Sequence, residues 1–368
     1  MLRQIVPPLK FIRYYNVLIL LCLCFLIVCS GCDRVEKEKK EEETFNSVVY
    51  DPEFQETIQT QAIRLIAPAS GVDPQKIPQI QSLTFLKLSV PDNLITNTIP
   101  FHSNTDAERF KMLQDALYNS QEPVIWTLRG GYGTARLIDK LQELPPPKEE
   151  KIFIGCSDNT ALHLFISQKW GWKTIHGAGV SALLNPNNDP ENFRRIANLI
   201  SRKDSNRSIS INHLVPFNQA AKTIPKKISG RLIGGNISII QTSLGTEWQI
   251  QTEGKILFLE EVGEKGYQVD RALNHLKQAG VFKGVRAIVF GDFADQKDEF
   301  VELAISRFSE EMNIPIFKTD EFGHGKKNYP LIYNAESEIV QDQNQTQNLT
   351  QGQKGNEEPK SFVLNMAW

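Results

Sequence analysis

From Ala62 onward the chain alternates short apolar runs with amphipathic stretches, and that alternation leaves few folds open. It predicts an α/β protein in which a largely parallel sheet is covered by helices. Strands are expected at residues 64–67, 84–90, 124–128 and 152–155. Thr105-Asp-Ala-Glu108 reads as a capping box, and Phe110, Leu113 and Leu117 share one helical face behind it. A second helix should follow Gly133 and bury Leu137, Ile138 and Leu141 before the stop at Pro145-Pro146-Pro147. A third should run from Ser157 to near Gly171.

At 368 residues, with 40% hydrophobic and 23% charged, the chain is long enough for two ordinary cores. Residues 185–226 are rich in Asn, Pro, Ser and charge and poor in periodic signal, which suits a connection. The expected division is a domain at 59–190, a connection at 191–226 and a smaller α/β domain at 227–368. The last should hold strands at 256–260 and 287–290 and helices at 269–279 and 298–312. Residues 341–360, Gln/Asn-rich, read as a disordered insertion before a short final strand at 362–368. No solenoid-length repeat is evident.

The first 32 residues read as an address. Arg3, Lys10 and Arg13 precede an apolar run from Val17 to Val28, followed by Ser30, Gly31 and Cys32, the layout of a signal peptide. The run is too short for a helix that crosses a bilayer, which needs about 20 residues. Ser30-Gly31-Cys32 is similar to a bacterial lipobox, with Cys32 as the lipidated residue, although Cys29 departs from the pattern. Residues 33–58 are then expected to be a charged tether. This leader predicts a membrane-anchored lipoprotein of the cell envelope facing the periplasm, with plain periplasmic secretion as the alternative.

A net charge of −2 gives no basic footprint for nucleic acid. Four of the five cysteines lie in the leader, so Cys156 alone remains for the folded body and no internal disulfide can form. Without a CxxC pair in the body or an HExxH, no metal and no cofactor are expected. A homodimer is left open.

The strongest local signal is Ile152-Phe-Ile-Gly-Cys-Ser-Asp-Asn-Thr160: an apolar strand, a small-residue turn, then a serine opening a helix. Such an elbow lifts a hydroxyl out of a sheet and aims the following N–H groups at the same point. On spacing alone an ordinary serine N-cap is the stronger reading, because Asn159 stands where G-x-S-x-G has its second glycine. Serine needs a base and an orienting acid. Of six histidines, His275, His163, His102 and His213 read as structural or exposed. His176 could line a pocket at a strand end, and His324 stands between Gly323 and Gly325. Glu260 ends an apolar run and should emerge at the carboxyl end of a buried strand, with Glu261 pointing the other way. Leu128-Arg-Gly-Gly-Tyr-Gly133 is a poor dinucleotide fingerprint, with Arg136 at the third glycine's place, and fits close backbone approach to a substrate equally well.

Taken in order, Arg64-Leu-Ile-Ala-Pro-Ala-Ser70, the glycine loop, Gly155-Cys-Ser-Asp158, His176-Gly177, Gly230-Arg-Leu-Ile-Gly-Gly-Asn236, Leu257-Phe-Leu-Glu260, Val269-Asp-Arg271 and Gly323-His324 resemble the murein LD-carboxypeptidases and the related microcin C self-immunity peptidases. The resemblance implies Ser157 as nucleophile, His324 as base and Glu260 as its acid. It also implies an oxyanion hole from the N–H groups of Asp158 and Gly131. Arg129, Gly130, Tyr132 and His176 are the candidate substrate-binding residues. The implied fold is a flavodoxin-like, class I glutamine amidotransferase-like first domain, with the active site in a cleft against the second. The implied reaction releases terminal D-alanine from murein tetrapeptides. The alternatives are an immunity-type amide hydrolase and a lipoprotein that binds peptidoglycan peptides without cutting them. The leader favours murein, which lies outside the inner membrane.

Overall fold

The computed structural model describes residues 45–96, 99–201, 207–224, 227–293, 298–342 and 361–368. The expected leader at residues 1–32, with Cys32, and nearly all of the insertion expected at 341–360 lie outside the described residues. Residues 46–368 form one compact unit. The tether expected at 33–58 is too long: Pro52–Ile58 is a helix, capped by Asp51 and opened by Pro52. Val48, Val49, Phe54 and Ile58 are buried, so the apolar residues of this stretch outweigh its few charges and dock it.

Five strands, β1 (Ala62–Ile66), β2 (Lys87–Ser89), β3 (Val124–Thr127), β4 (Ile152–Gly155) and β5 (Thr174–His176), pair in parallel in the order β2-β1-β3-β4-β5. β3 and β4 are buried at every residue, as continuous apolar runs covered on both faces should be. Thr105 caps the helix Asp106–Tyr118 by accepting from the Glu108 N–H. The other half of the expected capping box does not form, because the Glu108 carboxylate accepts from Asn93 instead. Helix Ala135–Leu141 buries Leu137, Ile138 and Leu141 as its spacing predicts. The helical stretch after Ser157 starts as a 3₁₀ turn and closes at Gly171 in the left-handed conformation.

The second half is not a plain α/β domain. Among the described residues, β6 (Ser208–Pro216), β7 (Lys227–Asn236), β8 (Ile256–Glu260), β9 (Ala287–Asp292), β10 (Ile316–Gly323), β12 (Glu336–Gln341) and β13 (Phe362–Ala367) close into a barrel. Its β7, β8, β9 and β10 run parallel, with helices Gly266–Gln278 and Phe300–Glu310 between successive strands. Between the two barrel-forming stretches, β11 (Leu331–Tyr333) leaves to pair antiparallel with β5, extending the first sheet. Residues 191–226, expected to be a connection, carry helix Glu191–Ile200 and the barrel strand β6. β6 alternates buried and exposed residues, a half-buried pattern weaker than the continuous runs of the parallel strands.

The sheet and the barrel meet at glycine-only distance. On β7, Gly235 has φ 123°, and a Cβ there would fall 2.5 Å from Thr160 Oγ1 and 2.6 Å from the Tyr333 hydroxyl. Replacing Gly235 by Ala should therefore lower unfolding stability by about 2 kcal/mol or more, from backbone strain and overpacking together. Urea denaturation with an unshifted midpoint would show that this approach is not needed.

Candidate active site

Ser157 stands two residues beyond β4 with φ 58°, a left-handed conformation unusual for a residue with a side chain. Its surroundings hold it there. Asn159 is fully buried, and its Nδ2 donates to the carbonyls of Cys156 at 3.0 Å and Arg129 at 3.2 Å. The residue that breaks the G-x-S-x-G spacing is thus the brace of the turn. Asp158, also buried, accepts from the N–H and hydroxyl of Thr134, each at 2.8 Å, which ties the nucleophile turn to the end of the glycine loop. Burial pushes the Asp158 carboxyl up, against hydrogen bonds from Thr134 and Gly133. The loop lies directly on the serine: a Cβ on Gly130 would sit 2.6 Å from Ser157 Cβ and 3.1 Å from its Oγ.

Glu260 is the last residue of β8 and His324 follows β10, so both emerge, like Ser157, at carboxyl ends of parallel strands. Glu260 is fully buried and its Oε2 accepts from His324 Nδ1. Burial alone would raise the Glu260 carboxyl, but the charge and hydrogen bond of His324 reverse this and hold it below the usual range. For His324, burial opposes protonation, yet Glu260, with smaller contributions from Glu261 and Asp292, raises the imidazole above its ordinary 6.5. With Nδ1 engaged, Nε2 of neutral His324 is the free acceptor. Glu261 does point away, accepting from Asn236, from the Ser238 N–H and hydroxyl, and from the Val262 N–H. Cys156, adjacent to the serine, is pushed up to about 12 by burial and then by the charge of Glu260, which leaves the thiol protonated.

The other sequence candidates separate. Arg129 and Tyr132 are exposed beside the turn. His176, expected to line a pocket, is fully buried at the end of β5 with its ring 5.4 Å from Phe258, so it faces the interior instead. Burial pushes it down to about 4. His163 is a satisfied core histidine between Thr174 Oγ1 and the Gly155 carbonyl. Among the described residues, no group of three or more His, Cys, Asp or Glu side chains could hold a metal ion. Sequence reasoning missed Asn159 as a brace, together with Thr134, because single polar residues in loops carry no periodic signal.

Residues 63–177 match the family model of the LD-carboxypeptidase N-terminal domain, and residues 229–339 that of the LD-carboxypeptidase C-terminal domain. A Rickettsia conorii protein bearing a carboxypeptidase name is 44% identical over 280 residues, 76% of this chain and 88% of its own. The murein tetrapeptide carboxypeptidase of Pseudomonas aeruginosa is 28% identical over 287 residues, 74% of this chain and 90% of its own. The crystal structure of muramoyltetrapeptide carboxypeptidase from Oxalobacter formigenes shares the fold, with a TM-score of 0.65 at 22% identity over 83% of this chain and 98% of that one.

The left-handed Ser157 turn yields a stability test. Ser157→Ala keeps the strain of a side chain there, whereas Ser157→Gly relieves it, by roughly 1–2 kcal/mol less the extra chain entropy of glycine. The Gly variant should melt above the Ala variant. Equal melting temperatures would mean that the turn stores no strain.

Proposed function

The chain belongs to the LD-carboxypeptidase family, and from that premise we propose that it is a serine carboxypeptidase releasing terminal D-alanine from murein tetrapeptides. The observation that carries the reading is the buried Glu260–His324 pair, together with a serine held in a left-handed elbow at the carboxyl end of a parallel strand. The order β2-β1-β3-β4-β5 supports reading the first sheet as flavodoxin-like, with the site at the carboxyl ends of its strands.

In this reading Ser157 Oγ attacks the carbonyl carbon of the L,D-peptide bond while its proton passes to His324 Nε2. Negative charge collects on the carbonyl oxygen, facing the N–H groups of Asp158 and Gly131. As the intermediate collapses the C–N bond breaks, and the departing D-alanine amine takes the proton from His324. Water then repeats the sequence on the acyl-serine, returning its hydrogen to Ser157 Oγ. Glu260 fixes the tautomer and stabilises the imidazolium in each half.

Incubation with murein tetrapeptide should liberate free D-alanine, and Ser157→Ala or His324→Ala should each abolish it with little further loss when combined, because a serine without its base is already inert. No D-alanine from the folded wild type, or near-normal turnover by Ser157→Ala, sinks the reading. The pH profile follows from the pair. His324 must be neutral to accept the proton, and Glu260 raises it, so kcat/KM should fall with acidification through a limb above 6.5. Glu260→Gln removes the raising charge and leaves burial, which lowers the imidazole, so its residual activity should show that limb at lower pH. A limb that does not move would detach Glu260 from the base.

A further inference from the structure

Arg109 lies on the helix Asp106–Tyr118 and is completely buried. Its Nη1 donates to the carbonyl of Pro68, in the turn after β1, and to that of Gly133, in the loop after β3, at 2.9 Å for the latter. Its Nη2 donates to Asp106 at 2.6 Å. One planar guanidinium thus joins two loops and a carboxylate, which the single ammonium of a lysine cannot reproduce in that geometry. Gly133 has φ 119°, and a Cβ there would come 2.9 Å from Arg109 Nη1, so loop and guanidinium are in direct contact.

The clamp reaches the oxyanion loop by a second route. Two residues beyond Pro68, Ser70 Oγ accepts from the Tyr132 N–H at 3.1 Å and donates to the Phe101 carbonyl at 2.7 Å. Gly131 sits against it, for its absent Cβ would fall 2.2 Å from that oxygen. Asn159 holds the Arg129 carbonyl on the other side of Gly131. The Gly131 N–H therefore lies between fixed points at Arg129, Tyr132 and Gly133. A buried charge is expensive unless paired and hydrogen-bonded, and here the hydrogen bonds are spent on these loops.

We propose that Arg109 is a positioning residue for the reaction, whose guanidinium locks the turn after β1 to the glycine loop and so sets the direction of the Gly131 N–H. The proposal rests on the serine-peptidase reading above. Oxyanion donors act in the transition state more than in the ground state, so loosening one should lower kcat and spare KM.

The test is Arg109→Lys, which keeps the charge and loses the fork, read by kinetics on murein tetrapeptide and by amide hydrogen exchange. A displacement of this kind should lower kcat by about tenfold to a hundredfold. KM should stay within about twofold and the acid limb should not move, because Glu260 and His324 are untouched. Amides of residues 129–134 should exchange faster in the variant. Should Arg109→Lys fail to fold, Asp106→Asn, at a side chain 34% exposed, releases the same guanidinium from its carboxylate and carries the same expectations at smaller size. Wild-type kcat, or a loss confined to KM, in a folded variant overturns the proposal. If the wild type releases no D-alanine, the assigned function fails while the exchange measurement still decides the clamp: unchanged exchange across 129–134 overturns it.

Discussion

Glu260 is a carboxylate with no exposed surface at the end of an all-apolar strand, and in such a place an unpaired charge costs several kcal/mol. His324 is what makes its burial tolerable. The pair binds β8 to the segment after β10, on the far side of β9 in the barrel. Gly323, at φ 120°, lets the chain turn there, since a Cβ would strike the Asp292 carbonyl at 2.2 Å. Removing either partner would leave the other to lose its charge or its place. The orientation and the basicity of the imidazole are thus consequences of one buried hydrogen bond.

The glycine loop at Ser157 depends on missing side chains. Gly130 lies on Ser157, Gly131 on Ser70 and Gly133 on Arg109 and His102, each closer than a Cβ permits. What the glycines lose in chain entropy is offset by brackets from neighbouring elements: Asn159 on Arg129, Ser70 on Tyr132, Asp158 on Thr134 and Arg109 on Gly133. A loop that would be mobile on its composition is tied down at four of its residues, which is the preorganisation an oxyanion site needs.

The parallel strands were legible in the sequence because burial on both faces leaves an uninterrupted apolar run, as in Ile152–Gly155 and Ile256–Glu260. The barrel was not. The final strand was expected and is found as β13, but β6 and β12 show only a half-buried alternation, and closure is a property of the register among the three rather than of any one segment. The docking of residues 46–58 hid behind the charge run before it. In the site, strand ends and glycines marked Ser157, Glu260 and His324 as candidates, but the spacing alone favoured an ordinary serine cap, and the roles of the three came from the family resemblance. His176 was misjudged since a strand-end position says nothing about which side of the sheet is open. Arg109 gave no signal because an arginine in the first turn of an amphipathic helix looks like a solvated one.

The groups that could dilute the acid–base pair are kept neutral. Burial drives His163 down to about 3 and His176 to about 4, while it drives Cys156 up to about 12. At neutral pH all three sit uncharged, so none of them adds a charge to the field of Glu260 on His324. The same burial keeps Cys156 from rivalling Ser157, since a thiol is a nucleophile only as thiolate. Placing titratable residues this deep would be wasteful as mere filling, because apolar side chains pack more cheaply. His163 has a structural use: it bridges Thr174 to the Gly155 carbonyl and stacks on Tyr333 at 4.6 Å, while the Tyr333 hydroxyl donates to the Gly234 carbonyl. That chain of contacts joins β4 and β5 to β11 and β7, so the register between the sheet bearing Ser157 and the barrel bearing Glu260 is fixed by neutral polar groups that leave the site's electrostatics alone.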